Sequence, residues 1–272
     1  MIEELYAIEK LAMGNSPIHI LDSRIKIIIC FAAIIAMVAY PYSVSVWIPG
    51  LLFFLFFLML WVISELPVTT YLKRLVLILP FGIFIILFQI FFENSHYDTF
   101  TVLVSLPLGI NIYSESVEFA AILFVKFSVC ISFIILLSST TPMQNLLTGA
   151  RRLGLPPEFA LVIGLMIRYL FVFAEMFGRV MNVFETKCFN SFDRSLPYKY
   201  RLKILGYTVG TMFIRSYEQG ERTYISMLCR GYSKDSYLHV SKKEIKPAEW
   251  IIVCIALMFI IMVPLVGYFS GV

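Results

Sequence analysis

The chain has 272 residues, of which 60% are hydrophobic and 15% charged, with mean hydropathy +0.85. Soluble domains carry about 45–50% apolar residues and about 25% charge, so this composition excludes an ordinary water-soluble globule and points to a lipid solvent. The net charge of +4 does not mark a nucleic-acid binder, which needs a basic patch free to meet phosphates.

Met1–Lys10 carries three Glu and one Lys. It lacks the basic start leading directly into an apolar region that a signal peptide would show. From Ile27 to Ser64 there is no charged residue. A bilayer core about 30 Å thick needs about 20 apolar residues, so this run is too long for one pass. Pro41, Pro49 and Gly50 sit in its middle among Tyr40, Tyr42 and Trp47. The pattern predicts two helices, 27–45 and 48–64, joined by a turn at an aromatic interface. Leu75–Phe92 predicts a third span (75–92). Phe119–Leu137, interrupted by Lys126, predicts a fourth (117–138), and Trp250–Val272 a fifth (250–272). Backbone polar groups in lipid must be satisfied within the segment, so these spans are helices.

Lys and Arg gather on the cytoplasmic side of membrane proteins. Lys10, Arg24 and Lys26 precede the first span, and Lys73 and Arg74 lie between the second and third. Glu93–Glu118 holds four acids and no Lys or Arg, whereas residues 141–249 hold 16 of the 22 Lys and Arg. One topology satisfies all of this: N-terminus inside, acidic loop outside, 141–249 inside, C-terminus outside. The expected fold class is all-α. It is a polytopic membrane protein of about five transmembrane helices plus a cytoplasmic domain of long helices. Its parts are a membrane domain (1–140), the cytoplasmic domain (141–249) and a last transmembrane helix (250–272).

Two long helices are legible inside 141–249. The first, 157–187, starts at Pro156-Pro157, since Pro suits a first helical turn. The second, 200–230, follows Pro197 and stops at Gly231. Between Phe159 and Phe184 the only charges are Arg168, Glu175 and Arg179, whose spacings of 7 and 4 place them on one face. The rest of that helix is apolar and cannot sit free in water. It lies against the membrane or a partner; the alternative is a sixth span, with three charges as its cost. An offset of 43 residues maps Glu175, Arg179, Lys187 and Phe189 onto Glu218, Arg222, Arg230 and Tyr232. Each Glu–Arg pair has the favourable i,i+4 orientation, and a cation suits a helix C-terminus. Helix ends attract such residues by chance too. The functional reading is that two equivalent ends face two equivalent docking sites.

Catalytic patterns are missing from the sequence. There is no HExxH, CxxC, GxxxxGK[ST] or GxSxG string. The five cysteines (Cys30, Cys130, Cys188, Cys229, Cys254) have no metal-ligand spacing and read as packing residues. His19, His96 and His239 all lie outside the expected spans. Lys126 is the one charged residue between Phe119 and Leu137, and such a Lys more often pairs with a neighbour or snorkels than drives transport. Neither a cofactor nor a metal is expected. A membrane protein with large cytoplasmic helices and no energy source of its own borrows one. The rival readings are a self-contained channel or secondary transporter, and an intramembrane enzyme.

Four stretches resemble a known family. Leu21-Asp22-Ser23-Arg24-Ile25-Lys26 is similar to the Leu-Asp-Pro-Arg-x-Lys approach to the first span in the transmembrane coupling subunits (T components) of energy-coupling-factor (ECF) transporters, CbiQ-type, with Ser23 in place of Pro. Arg152-Leu153-Gly154-Leu155-Pro156 resembles that family's Leu-Gly-Val-Pro turn. Ile167-Arg168-Tyr169-Leu170 resembles its Tyr-Arg-Tyr-Leu stretch, and Cys229-Arg230-Gly231 its second Ala-Arg-Gly motif. The resemblance implies a subunit that joins a substrate-binding membrane subunit to two ABC-type ATPases, for uptake of a cobalt or nickel ion or a vitamin. It implies ATPase docking at Cys229, Arg230 and Gly231. The first motif falls at Thr186, Lys187 and Cys188 and departs from the pattern: Lys lacks the planar fork of Arg, and Cys lacks the conformational freedom of Gly. Phe159, Leu161, Leu165 and Phe171 on the first helix are expected to face the substrate-binding subunit.

Overall fold

Lipid offers the backbone no partner, and the apolar runs accordingly close into helices. The structure, a computed structural model, describes residues 11–14, 16–90, 102–105, 111–187, 196–233 and 247–270. In chain order the elements are α1 (Pro17–Ile20), α2 (Ser23–Ala39), α3 (Trp47–Ile63), α4 (Val68–Ile90), β1 (Val102–Ser105), β2 (Asn111–Tyr113), α5 (Ser114–Thr140), α6 (Met143–Arg152), α7 (Pro157–Thr186), α8 (Tyr198–Cys229) and α9 (Pro247–Ser270). By length and composition, α4, α5, α7 and α9 are each able to cross a membrane, and α3 is a shorter apolar helix of 17 residues. The protein is an all-α polytopic membrane protein. Its one β feature among the described residues is the short antiparallel pair β1–β2 in the loop before α5.

Helix boundaries differ from the sequence expectation where polar residues find partners. α2 begins at Ser23 rather than 27, because the Asp22 side chain accepts the Arg24 N–H at 3.0 Å and caps the first turn. It ends at Ala39, before Pro41. α4 begins at Val68, directly after Pro67, rather than at 75, and so includes Lys73 and Arg74. The Arg74 guanidinium donates to Ser139 Oγ of α5 at 2.7 Å, so this loop cation of the sequence reading is a helix-to-helix tie. Tyr71 and Ser132 make a second tie, at 2.9 Å. Pro80 and Pro264 lie inside α4 and α9 without ending them, as neighbouring helices permit in membranes.

The chain divides into two compact units, one built on residues 7–154 and 243–272, the other on 155–242. α6 falls in the first of these units. In the first unit α5 is central: α2, α3 and α4 all pack on it, and α9 covers α2 and α3. Phe53, Phe57 and Phe133 are fully buried there, with Phe133 edge-on to Phe53 at 6.5 Å between ring centres. Hydrophobic exclusion drives little between helices in lipid, so close packing must. At Gly82 of α4 a Cβ would lie 2.0 Å from the Phe127 ring of α5, an approach that only glycine allows.

The second unit is thin. α7 buries Ala160 alone, and α8 buries no residue. The Tyr169 hydroxyl meets Thr223 Oγ1 at 2.5 Å and ties the two helices together. At about 1.5 Å per residue they extend about 45 and 48 Å. Two such helices leave their apolar faces uncovered and require an external surface to hide them.

Candidate functional site

The two long helices end alike. Thr186 is the last residue of α7 and Cys229 of α8, 43 residues apart, which is the offset legible in the sequence. The next residue is a cation in both, with nearly the same backbone: φ −88°, ψ 10° at Lys187 and φ −89°, ψ 9° at Arg230. Both side chains are exposed. After Arg230 the chain turns through Gly231 at φ 81°. The Gly231 N–H then donates to the Leu228 carbonyl at 2.9 Å and the Tyr232 N–H to the Met227 carbonyl at 3.0 Å. This paired closure is the Schellman cap, and it needs the left-handed conformation that glycine adopts without cost. Arg230 is thereby held on a defined corner. At the first helix end the Lys187 backbone N–H donates to the Val183 carbonyl at 3.2 Å, and Thr186 turns its hydroxyl to the same carbonyl at 2.9 Å. Cys188 lies outside the described residues.

The paired charges along the helices do not behave alike. Arg179 Nη2 meets Glu175 Oε1 at 2.8 Å, with both side chains exposed. No ion pair joins Glu218 to Arg222, although both are described and exposed. An exposed i,i+4 pair is worth only about 0.3–0.5 kcal/mol, too little to enforce the same rotamers twice. On α7, Phe159 is 63% exposed, whereas Leu161, Leu165 and Phe171 are half-buried. The bare apolar line instead runs through Phe159, Val162, Met166 and Leu170, all exposed. Its spacing of 3, 4 and 4 is one helix face. Hydropathy could not separate this line from its neighbours, because α7 is apolar around most of its circumference.

In the membrane unit, two of the four motif stretches converge. Asp22 is buried and lies 3.7 Å from Arg24 Nε and 4.0 Å from Arg152 Nη1 at the end of α6. Lys26 donates to the carbonyl of Thr140 at 2.9 Å and to that of His19 at 3.2 Å. The Asp-x-Arg-x-Lys run thus starts α2, ends α5 and binds the end of α6. Behind Arg152, Gly154 takes φ 118° and its N–H closes on the Arg151 carbonyl at 3.2 Å. Lys126, the charge inside α5, is also spoken for. It donates to the carbonyls of Val38 (3.3 Å) and Tyr40, and lies 4.0 Å over the Tyr42 ring. All its partners are neutral, and they satisfy the ammonium as the pairing expectation required.

Helical spans and a thin pair of long amphipathic helices together define a polytopic membrane protein. A model of the cobalt transport protein family, CbiQ, matches residues 14–240, and the chain belongs to that family. An uncharacterized protein of Methanocaldococcus jannaschii, MJ1571, is 26% identical over 240 residues, covering 88% of this chain and 78% of that one. The energy-coupling factor transporter transmembrane protein EcfT of Listeria innocua is 26% identical, covering 80% of this chain and 82% of its own. EcfT of Lactococcus lactis is 25% identical, covering 80% and 81%.

Proposed function

We propose that this chain is the transmembrane T component of an ECF-type importer. It transmits ATP-driven movement of two ABC-type ATPase subunits to a separate substrate-binding membrane subunit. The observation that carries this reading is the pair of exposed cations, Lys187 and Arg230, at helix ends 43 residues apart with the same backbone conformation. Two equivalent ends suit two equivalent ATPases. A cation on a rigid corner enters an acidic or carbonyl-lined groove with charge-assisted bonds. ATP hydrolysis belongs to the partners.

In this reading Arg230, capped by Gly231, is the stronger contact, and Thr186-Lys187-Cys188 the second. Residues 141–249 face the cytoplasm with the N-terminus, and the C-terminus lies outside. The bare face of α7, led by Phe159, covers the substrate-binding subunit, with Leu161, Leu165 and Phe171 at its border. The cargo is a cobalt or nickel ion or a vitamin, selected by that subunit. Co-purification tests the assignment. Arg230→Glu releases the ATPases or stops uptake, and Lys187→Glu weakens both. If the Arg230→Glu complex stays assembled and imports at the wild-type rate, the docking assignment fails.

A further inference from the structure

The ends of α7 and α8 are equivalent in the 43-residue register, but the place where the two helices meet is not. In that register Tyr169 of α7 corresponds to Met212 of α8. Its hydroxyl instead meets Thr223 Oγ1 at 2.5 Å, 11 residues and about three turns nearer the end of α8. A second bond sets the direction of the first. The Thr223 hydroxyl lies 2.7 Å from the Gln219 carbonyl and spends its proton there, so the Tyr169 O–H donates and Thr223 Oγ1 accepts. The Tyr169 ring centre lies 6.0 Å from that of Phe173, one turn on, and both tied residues are half-buried. α4 and α5 pack side by side, whereas α7 and α8 approach closely at few points.

We propose that this tie is the fulcrum on which α7 and α8 turn, and that Tyr169 is the positioning residue that makes the strokes of the two docking ends unequal. The proposal rests on the reading of Lys187 and Arg230 as ATPase contacts. From Tyr169 to Lys187 is 18 residues, an arm of about 27 Å at about 1.5 Å per residue; from Thr223 to Arg230 is seven, an arm of about 10 Å. For equal turns about a common point, displacement scales with arm length, so the Lys187 end travels roughly 2.5 times as far as the Arg230 end. A broad interlocked interface would resist such turning, because packed side chains fix a crossing angle. One hydroxyl pair fixes where along each helix the two meet and leaves the angle free. The two ends then have different tasks. Arg230, on the short arm and held at the Gly231 corner, anchors. Lys187 ends the long arm, and its flexible stem suits a contact that moves.

The test uses the full-length chain in complex with its two ATPases and substrate-binding subunit, reconstituted in liposomes. Tyr169→Phe keeps the ring and removes the donor. It is expected to retain the ATPases and hydrolyse ATP at the wild-type rate, while uptake per ATP falls about two- to tenfold, the span that one hydrogen bond supports. The conservative variant Thr223→Ser keeps the acceptor and couples as the wild type does. Spin labels in a cysteine-free background read the stroke without touching the tie. ATP leaves the Val172–Glu221 distance, beside the tie, unchanged and shifts the Glu185–Glu221 distance, at the end of the long arm; all three positions are exposed. Wild-type uptake per ATP in Tyr169→Phe overturns the fulcrum, as does a Thr223→Ser variant equally impaired. A Val172–Glu221 shift as large as the Glu185–Glu221 shift does the same. Loss of the ATPases from Tyr169→Phe would reduce the tie to a structural contact and overturn its role in the stroke. A wild-type chain that never co-purifies with ATPases removes the docking reading itself, a failure seen before any variant is made.

Discussion

Lys26, near the start of α2, donates to the last carbonyl of α5, that of Thr140, at 2.9 Å. At the far end of the same pair the roles reverse, and Lys126 of α5 reaches Val38 and Tyr40 where α2 ends. A helix end leaves carbonyls without partners and carries partial negative charge, so a cation there satisfies both needs. Two buried lysines thus latch an antiparallel helix pair at each end through backbone carbonyls.

Lys126→Met leaves the Val38 and Tyr40 carbonyls in a dry environment. The expected cost is about 1–3 kcal/mol of stability, read as a lower midpoint in thermal unfolding of the purified chain. Because the latches are at opposite ends of the pair, the cost of Lys26→Met adds to it. An unchanged midpoint in both variants would remove the latch.

Gly82 faces the Phe127 ring too closely for any Cβ. Gly82→Leu therefore pushes α4 off α5 at a cost of about 1–3 kcal/mol. Phe127→Ala in the same chain makes room and restores part of the loss. A double-mutant cycle showing no coupling would mean that the two helices do not pack as described.

The Gly231 cap is a way to disturb the docking corner while keeping its charge. Gly231→Ala forces a Cβ into the left-handed conformation at about 1–2 kcal/mol, so Arg230 is presented in a shifted or frayed geometry. ATPase co-purification then weakens although the guanidinium is intact. Gly220→Ala is the control, since nothing lies within 4 Å of a Cβ there and Ala favours a helix interior. Equal binding by both variants would show that the corner's shape is irrelevant.

His19 is the groundwork for a pH prediction. Burial first, and the Lys26 ammonium second, push its imidazole below the ordinary value of 6.5; its Nδ1 lies 2.6 Å from Ser16 Oγ. The folded chain holds His19 neutral where the unfolded chain already binds a proton. Stability from this group is complete above about pH 6.5 and declines as pH falls below it. Unfolding midpoints between pH 8 and 5.5 check this: His19→Gln flattens part of the acid-side decline. A wild type and variant with parallel pH profiles would contradict it.

The sequence made the membrane helices legible because apolar run length is set directly by the thickness of the bilayer. The two long helices and their 43-residue register were legible as well, since a Pro start, a Gly stop and a terminal cation are local signals. Arg74 was misplaced into a loop. A charge counts against a span in hydropathy, and its Ser139 partner 65 residues away leaves no local trace. The convergence of Asp22 with Arg152 was hidden for the same reason: both residues stood out, but in separate stretches. Glu218 and Arg222 show the opposite failure, a correct spacing that solvent leaves unused. On α7 the uncovered line through Val162, Met166 and Leu170 could not be told from Leu161 and Leu165, because only the crossing near Tyr169 and Thr223 distinguishes the faces.

The double latch has a consequence for exchanging parts between relatives. Between relatives that carry both lysines, a chimera that takes α2 from one and α5 from another inherits a lysine from each donor and a carbonyl register from each. A one-turn difference between the donors would then leave both ammonium groups stranded among apolar side chains. Grafts that move α2 and α5 together, with the Asp22–Arg152 contact travelling alongside, keep the seam intact. The natural unit of exchange in this protein is therefore set by who bonds whom across the bilayer, and it is not contiguous along the chain.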